Sequence, residues 1–394
     1  MRKFLFIIVL IPLLGAAGWW YFREQALPDY GPAYREYAYV SNGKSNTVSV
    51  IDLRTFELAK TIAVGLSPTG IAANREKNEI YVVNSGSNNV SVIDAEKNAV
   101  VATIGVHGRP YFIDVAQDGR RAYVANSGSS NVSVIDLEKR TVLGNVRVGS
   151  APGLARVSPD GATVMVSNRG DNTVSVIDTK LLRVRSTLPV CQQPEDIAIL
   201  PDSSKAFVAC SGSSQVASIA LAANKNNEPP SDRVLALLDV GRTPVSLALK
   251  PDGGEMMVCD FDSDSISIVE TANDEVGSSV LIGQHPARGL VTLDNSRLYV
   301  SNFGSDSVAV YDIELGRRIA TMPVGSHPEG LATSQDQRYL LVLDTQAGDV
   351  TVIQKRTARK LEPTEYSLLT MIPVGLQPNG ITVKAFMVTG PKTK

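Results

Sequence analysis

The sequence predicts an all-β fold, an eight-bladed β-propeller of four-stranded antiparallel blades, and three observations predict it. The segment Asn-Thr-Val-Ser-Val-Ile-Asp at residues 172–178 recurs in closely related form at residues 46–52, 88–94 and 130–136. Each copy follows a run of the type Tyr-Val-x-Asn and precedes a Val-Gly-x-x-Pro turn, which is typical of a repeat architecture. The turn prolines are 42 residues apart five times and 50 residues apart twice. They are Pro68, Pro110, Pro152, Pro194, Pro244, Pro286, Pro328 and Pro378.

Four short strands are predicted in each repeat. The unit that begins at Pro110 contains four apolar runs, at residues 112–116, 122–126, 131–136 and 141–146. Runs rich in Val, Ile and Tyr between Gly, Ser, Asn or Asp residues are typical of strands joined by turns. Because the inner runs are apolar on both faces, each small sheet is expected to lie between two neighbours, as a propeller blade does.

The order of the strands predicts how the ring closes. The chain opens with a second strand at Tyr39 and ends with a first strand at Ile381, while each strand type occurs eight times. The last strand should therefore complete the first blade, which would combine residues 37–64 with residues 380–388. Such one-plus-three closure removes the free sheet edges that favour aggregation. Seven blades are the alternative.

The N-terminus predicts a membrane anchor helix. Residues 4–22 carry no charge, follow Arg2 and Lys3, and end in four aromatic residues. This length can cross a bilayer, and Trp and Tyr favour its interface. A signal peptide cleaved after Ala17 is the alternative. The expected organisation is therefore a signal-anchor or signal peptide (1–25), a spacer (26–36), the propeller (37–388) and a tail (389–394).

The overall charge bears on the kind of partner. Lys and Arg total 38, Asp and Glu total 40, and the formal net charge is −2. Since no strongly basic surface is implied, no nucleic-acid partner is expected. Residues 4–22 predict contact with a membrane, which would place the propeller on the extracytoplasmic side of a bacterial cytoplasmic membrane, facing the periplasm or the cell surface.

The repeat motifs resemble a known family. The run at residues 123–126, the segment at 172–178 and the turn at 324–328 look like YVTN-type β-propeller repeats. Such repeats occur in surface-layer-like proteins and in exported propellers of bacteria and archaea. More distant relatives include lactonase-like proteins and the haem-d1 domain of nitrite reductases. The resemblance implies the fold and leaves binding, hydrolysis and haem handling open.

No sequence motif predicts catalysis or a resident metal. The chain has no Cys-x-x-Cys-His haem attachment site, no Gly-rich phosphate loop and no His-Glu-x-x-His helix. Residues 260–264 resemble the start of a calcium loop but lack its later glycine and glutamate. The recurring Asn and Asp residues are interpreted as turn-stabilising groups. No cofactor is therefore predicted, with haem or a metal as the alternative.

The candidate ligand-binding residues depart from the repeat consensus in the turns, which should surround the mouth of the central channel. All three histidines of the chain fall there. The predicted ligand-binding set is His107, Arg109, Arg242, His285, Arg288 and His327. Three acidic departures accompany them, Glu195, Asp196 and Glu329. A rival basic site is predicted on the opposite face, in the insertion that contains Lys355, Arg356, Arg359 and Lys360.

Two cysteines occupy consensus positions of the repeat. Cys191 replaces the turn glycine, and Cys210 replaces the asparagine that ends a second strand. Both should lie on the channel-mouth side, and export would permit a disulfide between them. The third cysteine, Cys259, is expected to be a buried free thiol.

Together these features predict an exported, membrane-anchored propeller that acts as a binding or interaction scaffold. A protein partner or a small ligand is expected at the channel-mouth loops. The alternative that the resemblance implies is a lactonase-like hydrolase or a periplasmic propeller of the d1-haem type. No catalytic residue is predicted.

Overall fold

A computed structural model describes residues 30–222, 232–356 and 365–388. In these residues the chain forms eight separate four-stranded antiparallel sheets. The expected eight-bladed propeller is confirmed, and the seven-bladed alternative is excluded. Short 3-10 turns at Phe261–Ser263 and Phe303–Ser305 are the helical elements of this part of the chain.

The blades are numbered in chain order. In blades 2 to 8 the first strand lies at the channel and the fourth strand lies outermost. Blade 1 has β1 (Tyr34–Asn42), β2 (Thr47–Asp52) and β3 (Glu57–Ala63), and blade 2 has β4 (Pro68–Ala73), β5 (Glu79–Asn84), β6 (Asn89–Asp94) and β7 (Ala99–Gly105). Blade 3 has β8 (Pro110–Val115), β9 (Arg121–Asn126), β10 (Asn131–Asp136) and β11 (Thr141–Arg147), and blade 4 has β12 (Pro152–Val157), β13 (Thr163–Asn168), β14 (Thr173–Asp178) and β15 (Arg183–Pro189). Blade 5 has β16 (Pro194–Ile199), β17 (Lys205–Cys210), β18 (Gln215–Ala220) and β19 (Arg233–Asp239), and blade 6 has β20 (Pro244–Leu249), β21 (Glu255–Asp260), β22 (Ser265–Glu270) and β23 (Glu275–Leu281). Blade 7 has β24 (Pro286–Val291), β25 (Arg297–Asn302), β26 (Ser307–Asp312) and β27 (Arg317–Pro323). Blade 8 has β28 (Pro328–Thr333), β29 (Tyr339–Asp344), β30 (Asp349–Arg356) and β31 (Glu365–Pro373). The last strand of the chain is β32 (Pro378–Met387).

The ring closes as the strand order predicts. The first sheet has the order β3-β2-β1-β32, so the last strand supplies the innermost strand of blade 1. Closure is reinforced by polar contacts, since Ser41 Oγ donates to Asn379 Oδ1 at 2.8 Å. The N–H groups of Gly43 and Leu376 also join the two chain ends, to Gln377 O at 2.8 Å and to Ser45 Oγ at 2.7 Å.

The hydrophobic core lies between neighbouring blades. One buried cluster unites Tyr81 of blade 2 with Ile113 and Val124 of blade 3. The second and third strands of each blade are buried on both faces, whereas outer strands such as β3 are mostly exposed. This pattern explains the two-sided apolar runs in the sequence, because each inner strand packs against the blades on either side.

A recurring asparagine–glycine contact joins consecutive blades at the face that carries the Val-Gly-x-x-Pro turns, here called the turn face. Asn84 Nδ2 donates to Asn89 Oδ1 and Ser91 Oγ across its own blade, at 2.8 and 2.9 Å. A Cβ on Gly65 would lie 2.7 Å from the Asn84 side chain, so this turn position has room only for glycine. The interpretation of such asparagines as structural is confirmed.

The aspartates that end the third strands are also structural. Asp94 Oδ1 accepts hydrogen bonds from the N–H groups of Glu96 and Lys97 at 2.9 and 3.0 Å, and Asp136 repeats the arrangement in blade 3. They close the hairpins that join third and fourth strands. These hairpins lie on the side of the propeller opposite the turn face, and we call that side the hairpin face. Both long insertions begin and end at strand termini on the hairpin face, although residues 223–231 and 357–364 lie outside the described residues.

The predicted anchor, spacer start and tail fall largely outside the described residues. None of the helices in residues 30–222, 232–356 and 365–388 is long and apolar enough to cross a membrane. Residues 36–385 form one compact unit. In the small second unit, the Tyr30 and Tyr34 rings stack with centroids 4.2 Å apart, and Val388 N–H donates to Ala33 O at 2.9 Å.

Candidate functional site: the charged channel

The central channel holds a cavity of about 810 Å³ that is lined by the innermost strands of the blades. These strands begin at the turn prolines, and residues one to four positions after the prolines supply most of the lining. The ionisable residues among its lining are Arg75, Asp114, Arg156, Arg169, Glu195, Asp196, Arg288 and Glu329. Positive and negative groups are thus equal in number, and their arrangement determines what the channel can bind.

A buried carboxylate holds two arginines from different blades. Asp196 of blade 5 has a side chain that is only 7% exposed, and its oxygens lie 3.5 Å from Arg156 Nη2 and 3.4 Å from Arg288 Nη1. The same oxygens accept hydrogen bonds from the N–H groups of Ile197 and Leu247 at 2.9 and 3.1 Å. The two backbone hydrogen bonds hold this carboxylate in place between the two guanidinium groups.

The two guanidinium groups keep unused donors that face the cavity. The side chains of Arg156 and Arg288 remain 33% and 49% exposed. Arg156 also lies over the Phe112 ring, with its Cζ 4.9 Å from the centroid. Arg156, Asp196 and Arg288 together carry one net positive charge, so this group, here called the arginine clamp, favours an anion.

Further charges surround the arginine clamp. The Asp114 carboxylate accepts hydrogen bonds from Val115 and Val157 N–H at 3.1 and 3.0 Å. Burial raises the pKa of Asp114, and the positive charges of Arg156 and Arg75 oppose this rise. The Arg75 guanidinium forms no hydrogen bond within the described residues and lines the cavity, which leaves its donors available to a ligand.

Acidic groups occupy the part of the channel nearer the turn face. Arg169 pairs with Glu195 and lies over the Tyr111 ring, with its Cζ 5.0 Å from the centroid. Desolvation raises the pKa of Glu195, and Arg169 opposes the rise. Desolvation likewise raises the pKa of Glu329, against the positive charges of Arg288 and His327. Burial in the channel therefore favours the neutral form of both carboxyl groups relative to a solvent-exposed glutamate.

The sequence-predicted binding residues divide into two groups. Arg288 lies in the cavity, as do the acidic departures Glu195, Asp196 and Glu329. The remaining five residues lie on the turn face outside the cavity lining; they are His107, Arg109, Arg242, His285 and His327. Their role in binding stays a prediction. Local contacts already occupy some of them: Arg242 Nη2 donates to Asp262 O at 2.6 Å, and His107 Nδ1 lies 3.1 Å from Asn131 Nδ2.

Two of the histidines belong to a row of four rings on the turn face. The His285 ring stacks on Phe261 with centroids 4.6 Å apart and an interplanar angle of 11°. Phe261 contacts Phe303 at 5.9 Å, and Phe303 contacts His327 at 4.3 Å. We call these residues, which span blades 6 to 8, the rim row.

Cys191 and Cys210 are joined by a disulfide on the turn face. Their Cα atoms are 5.6 Å apart, and both side chains are buried. The bond takes the place of the asparagine–glycine contact found at other blade junctions. Cys259 is a buried free thiol, and burial raises its pKa.

The family follows from comparison with known proteins. The model of the YNCE-like beta-propeller family matches residues 11–157 and 154–366, which is most of the chain. The chain belongs to the YNCE-like β-propeller family. No curated protein matches it.

Solved structures resemble this YNCE-like propeller in fold. Dihydro-haem d1 dehydrogenase NirN in complex with DHE is 15% identical, with a TM-score of 0.71, over 88% of this chain and 74% of that one. A putative 6-phosphogluconolactonase from Bacteroides fragilis is 16% identical, with a TM-score of 0.60, over 91% of this chain and 100% of that one. Hydrazine synthase from Kuenenia stuttgartiensis is 21% identical, with a TM-score of 0.56, over 70% of this chain and 91% of that one. At these identities the likeness shows the fold alone.

Four charged residues of the YNCE-like channel were missed by reasoning from the sequence: Arg75, Asp114, Arg156 and Arg169. A signal for two of them was present, because Asp114 and Arg156 occupy the fourth position after the turn proline, where other repeats have residues such as Ala72 and Ala198. No group of three or more His, Cys, Asp or Glu side chains is arranged to hold a metal ion within the described residues. The calcium-like segment instead forms a strand end and a short 3-10 turn, with Asp260 Oδ2 accepting a hydrogen bond from Ser267 Oγ at 2.6 Å.

Proposed function

We propose that this protein is an exported, membrane-anchored binding module whose channel holds the carboxylate of a small organic ligand. The arginine clamp carries this proposal. A cavity of about 810 Å³ falls within the range of small-molecule sites, which favours a small ligand over a protein partner inside the channel. Aromatic and aliphatic side chains such as Phe112 and Leu154 line the same cavity and provide apolar contact.

The arginine clamp is suited to carboxylates because its two guanidinium groups come from blades 4 and 7 and converge on one carboxylate, Asp196. Arginine presents a planar fork of donors that matches a carboxylate in bidentate geometry. Since Asp196 already fixes both side chains, little conformational entropy remains to be lost when a ligand binds. The channel therefore supplies a preorganised cationic site within a closed ring.

Binding to the channel is tested with a carboxylic acid and its neutral amide. In calorimetric titrations of the full chain, cyclohexanecarboxylate should bind saturably and cyclohexanecarboxamide should not. Arg288→Gln should weaken the acid by about 10- to 100-fold, because a charge-assisted contact contributes about 1.5–3 kcal/mol. Arg147→Gln is the matched control, since it removes the same charge from an exposed position on the outer strand β11, outside the cavity lining.

Equal binding of the acid to the wild type and the Arg288→Gln variant would refute the channel site. The same experiment distinguishes the channel site from the rival basic site on the hairpin face. Neutralising Lys355 and Arg356 should leave binding of the acid unchanged. A Soret absorption band in the purified protein would instead support the haem-handling alternative.

Export is supported by the disulfide between Cys191 and Cys210, because such bonds form and persist in oxidising compartments. Anchoring is supported by the uncharged residues 4–22 and the basic residues that precede them. Expressed in a bacterium, the full chain should remain in the membrane pellet after alkaline carbonate extraction, and a chain lacking residues 1–25 should not. A mature N-terminus at Gly18 would show the cleaved signal peptide instead.

A further inference from the structure

The rim of the channel on the turn face differs in chemistry between its two sides. Around the ring, the residue after each second strand donates its N–H to the carbonyl of the residue before the turn proline, as Ser85 does to Ser67 at 3.0 Å and Phe303 to His285 at 2.9 Å. These paired positions hold small or hydroxylated residues in blade 2. In blades 6 to 8 the pairs are Thr243 with Phe261, His285 with Phe303, and His327 with Thr345, so four of these six positions carry rings.

The rim row is an ordered surface whose rings remain partly exposed. His285 is exposed, and the other three rings are half-buried. The His285 imidazole is held closely, since a Cβ on Gly304 would lie 2.6 Å from its Nδ1. The backbone N–H of His285 donates to Asp264 Oδ1 at 2.9 Å, and the backbone N–H of His327 donates to Asp306 Oδ1 at the same distance. These contacts fix the backbone of both histidines.

The rim row borders the charged channel at Glu329. Glu329 follows Pro328, which follows His327 in the turn. Ser301 Oγ donates to the backbone oxygen of Glu329 at 2.9 Å and lies 3.4 Å from that of Arg288. Desolvation raises the pKa of the Glu329 carboxyl, and the nearby charges of Arg288 and His327 oppose this rise. Glu329 therefore connects the aromatic rim with one arm of the arginine clamp.

We propose that the rim row is the second half of the channel site, and that the ligand is an aromatic carboxylate. Its carboxylate contacts Arg288 in the channel, and its planar ring packs against Phe261 and Phe303 at the rim. This inference rests on the proposed function, because it requires the arginine clamp to bind the carboxylate. Ring-on-ring contact adds a stabilisation beyond burial of apolar area, so the site discriminates between planar and saturated rings.

The test compares 2-naphthoate with decahydro-2-naphthoate, which has the same carboxylate on a saturated ring system. In titrations of the full chain, 2-naphthoate should bind about tenfold more tightly than its saturated counterpart, as two aromatic contacts would provide. The double variant Phe261→Leu with Phe303→Leu should lose this preference and keep the affinity for the saturated acid. Ser85→Leu, at the matching rim position in blade 2, should change neither affinity.

The outcomes separate this inference from the proposed function. If Arg288→Gln weakens the binding of both acids but the double Leu variant still binds 2-naphthoate more tightly than its saturated counterpart, the rim-row inference is overturned and the channel site stands. If neither acid binds the wild type, both fall. Salt-sensitive displacement of 2-naphthoate by a single-stranded oligonucleotide would also overturn the inference, since stacked bases would then be the ligand of the rim.

Discussion

At the scale of the residue, the position that ends each second strand determines whether the contact between neighbouring blades is neutral or acidic. Asparagine there can donate across its blade, as Asn42 Nδ2 does to Ser49 Oγ at 3.0 Å. Blade 8 has Asp344 instead, which faces Asp349 across the β29–β30 pair. Both residues have an Oδ1 atom that is buried and lacks a hydrogen-bond partner within the described residues. Two carboxyl groups in such a site cannot both ionise without a cost in stability.

The acidic pair predicts a specific pH dependence. Burial, with the neighbouring Asp349 carboxyl, raises the pKa of Asp344 above its ordinary value of 3.8. A raised carboxyl pKa gives stability that is fully present below about pH 4 and is lost as the pH rises toward the folded-state pKa. Asp344→Asn should therefore stabilise the protein by about 1 kcal/mol at pH 8 and have little effect at pH 4.

Urea unfolding of both proteins at pH 4, 6 and 8 measures this effect. The matched reverse change is Asn84→Asp, at a position that faces Asn89 in blade 2. It should lower the free energy of unfolding by an amount that grows with pH. A stabilisation by Asp344→Asn that is the same at pH 4 and pH 8 would contradict the raised pKa.

At the scale of the element, the junction before blade 5 replaces a polar contact with a covalent one. Cys191 and Cys210 are 19 residues apart in sequence, and their bond joins the turn before β16 to the end of β17. A disulfide stabilises mainly by restricting the unfolded chain, and a loop of this length corresponds to about 3 kcal/mol. The four strands of blade 5 pair in the same order as those of the other blades.

Reduction should therefore lower the thermal midpoint of the wild type. The double variant Cys191→Gly with Cys210→Asn restores the residues found at other junctions, so it should fold and be insensitive to reductant. Calorimetric melting with and without dithiothreitol measures both effects. The Cys259→Ser variant tests whether the buried free thiol contributes to the change in the thermal midpoint on reduction. An equal midpoint for the oxidised and reduced wild type would contradict a stabilising bond.

At the same scale, the sequence predicted the blades more fully than the site. Proline spacing and strand order were sufficient because each blade is one local unit that repeats. The channel was harder to predict, because Arg156 and Arg288 are 132 positions apart and meet only through Asp196, in a third blade. The turns were expected to surround the ligand, but the innermost strands line the cavity, so His107 and Arg109 lie outside it.

At the scale of the whole molecule, closure of the ring brings residues of all eight blades around one cavity. The strand β32 brings Asn379 and Thr382 to the lining, beside residues of blade 2. Blades distant in sequence can then contribute charges to one cavity, and the rigid repeat holds each charge in place. Function in this protein is expected to reside in departures from the repeat, because the consensus positions are occupied by strand pairing and blade contacts.

Anomalous diffraction from crystals of the protein soaked with 4-bromobenzoate tests the channel site most directly. We expect a bromine peak at or within the channel, with the carboxylate of the ligand bound to Arg156 and Arg288. Crystals of the Arg288→Gln variant should lose the peak under the same soak. Bromine bound only on the hairpin face, or an empty channel at a saturating concentration of 4-bromobenzoate, would contradict it.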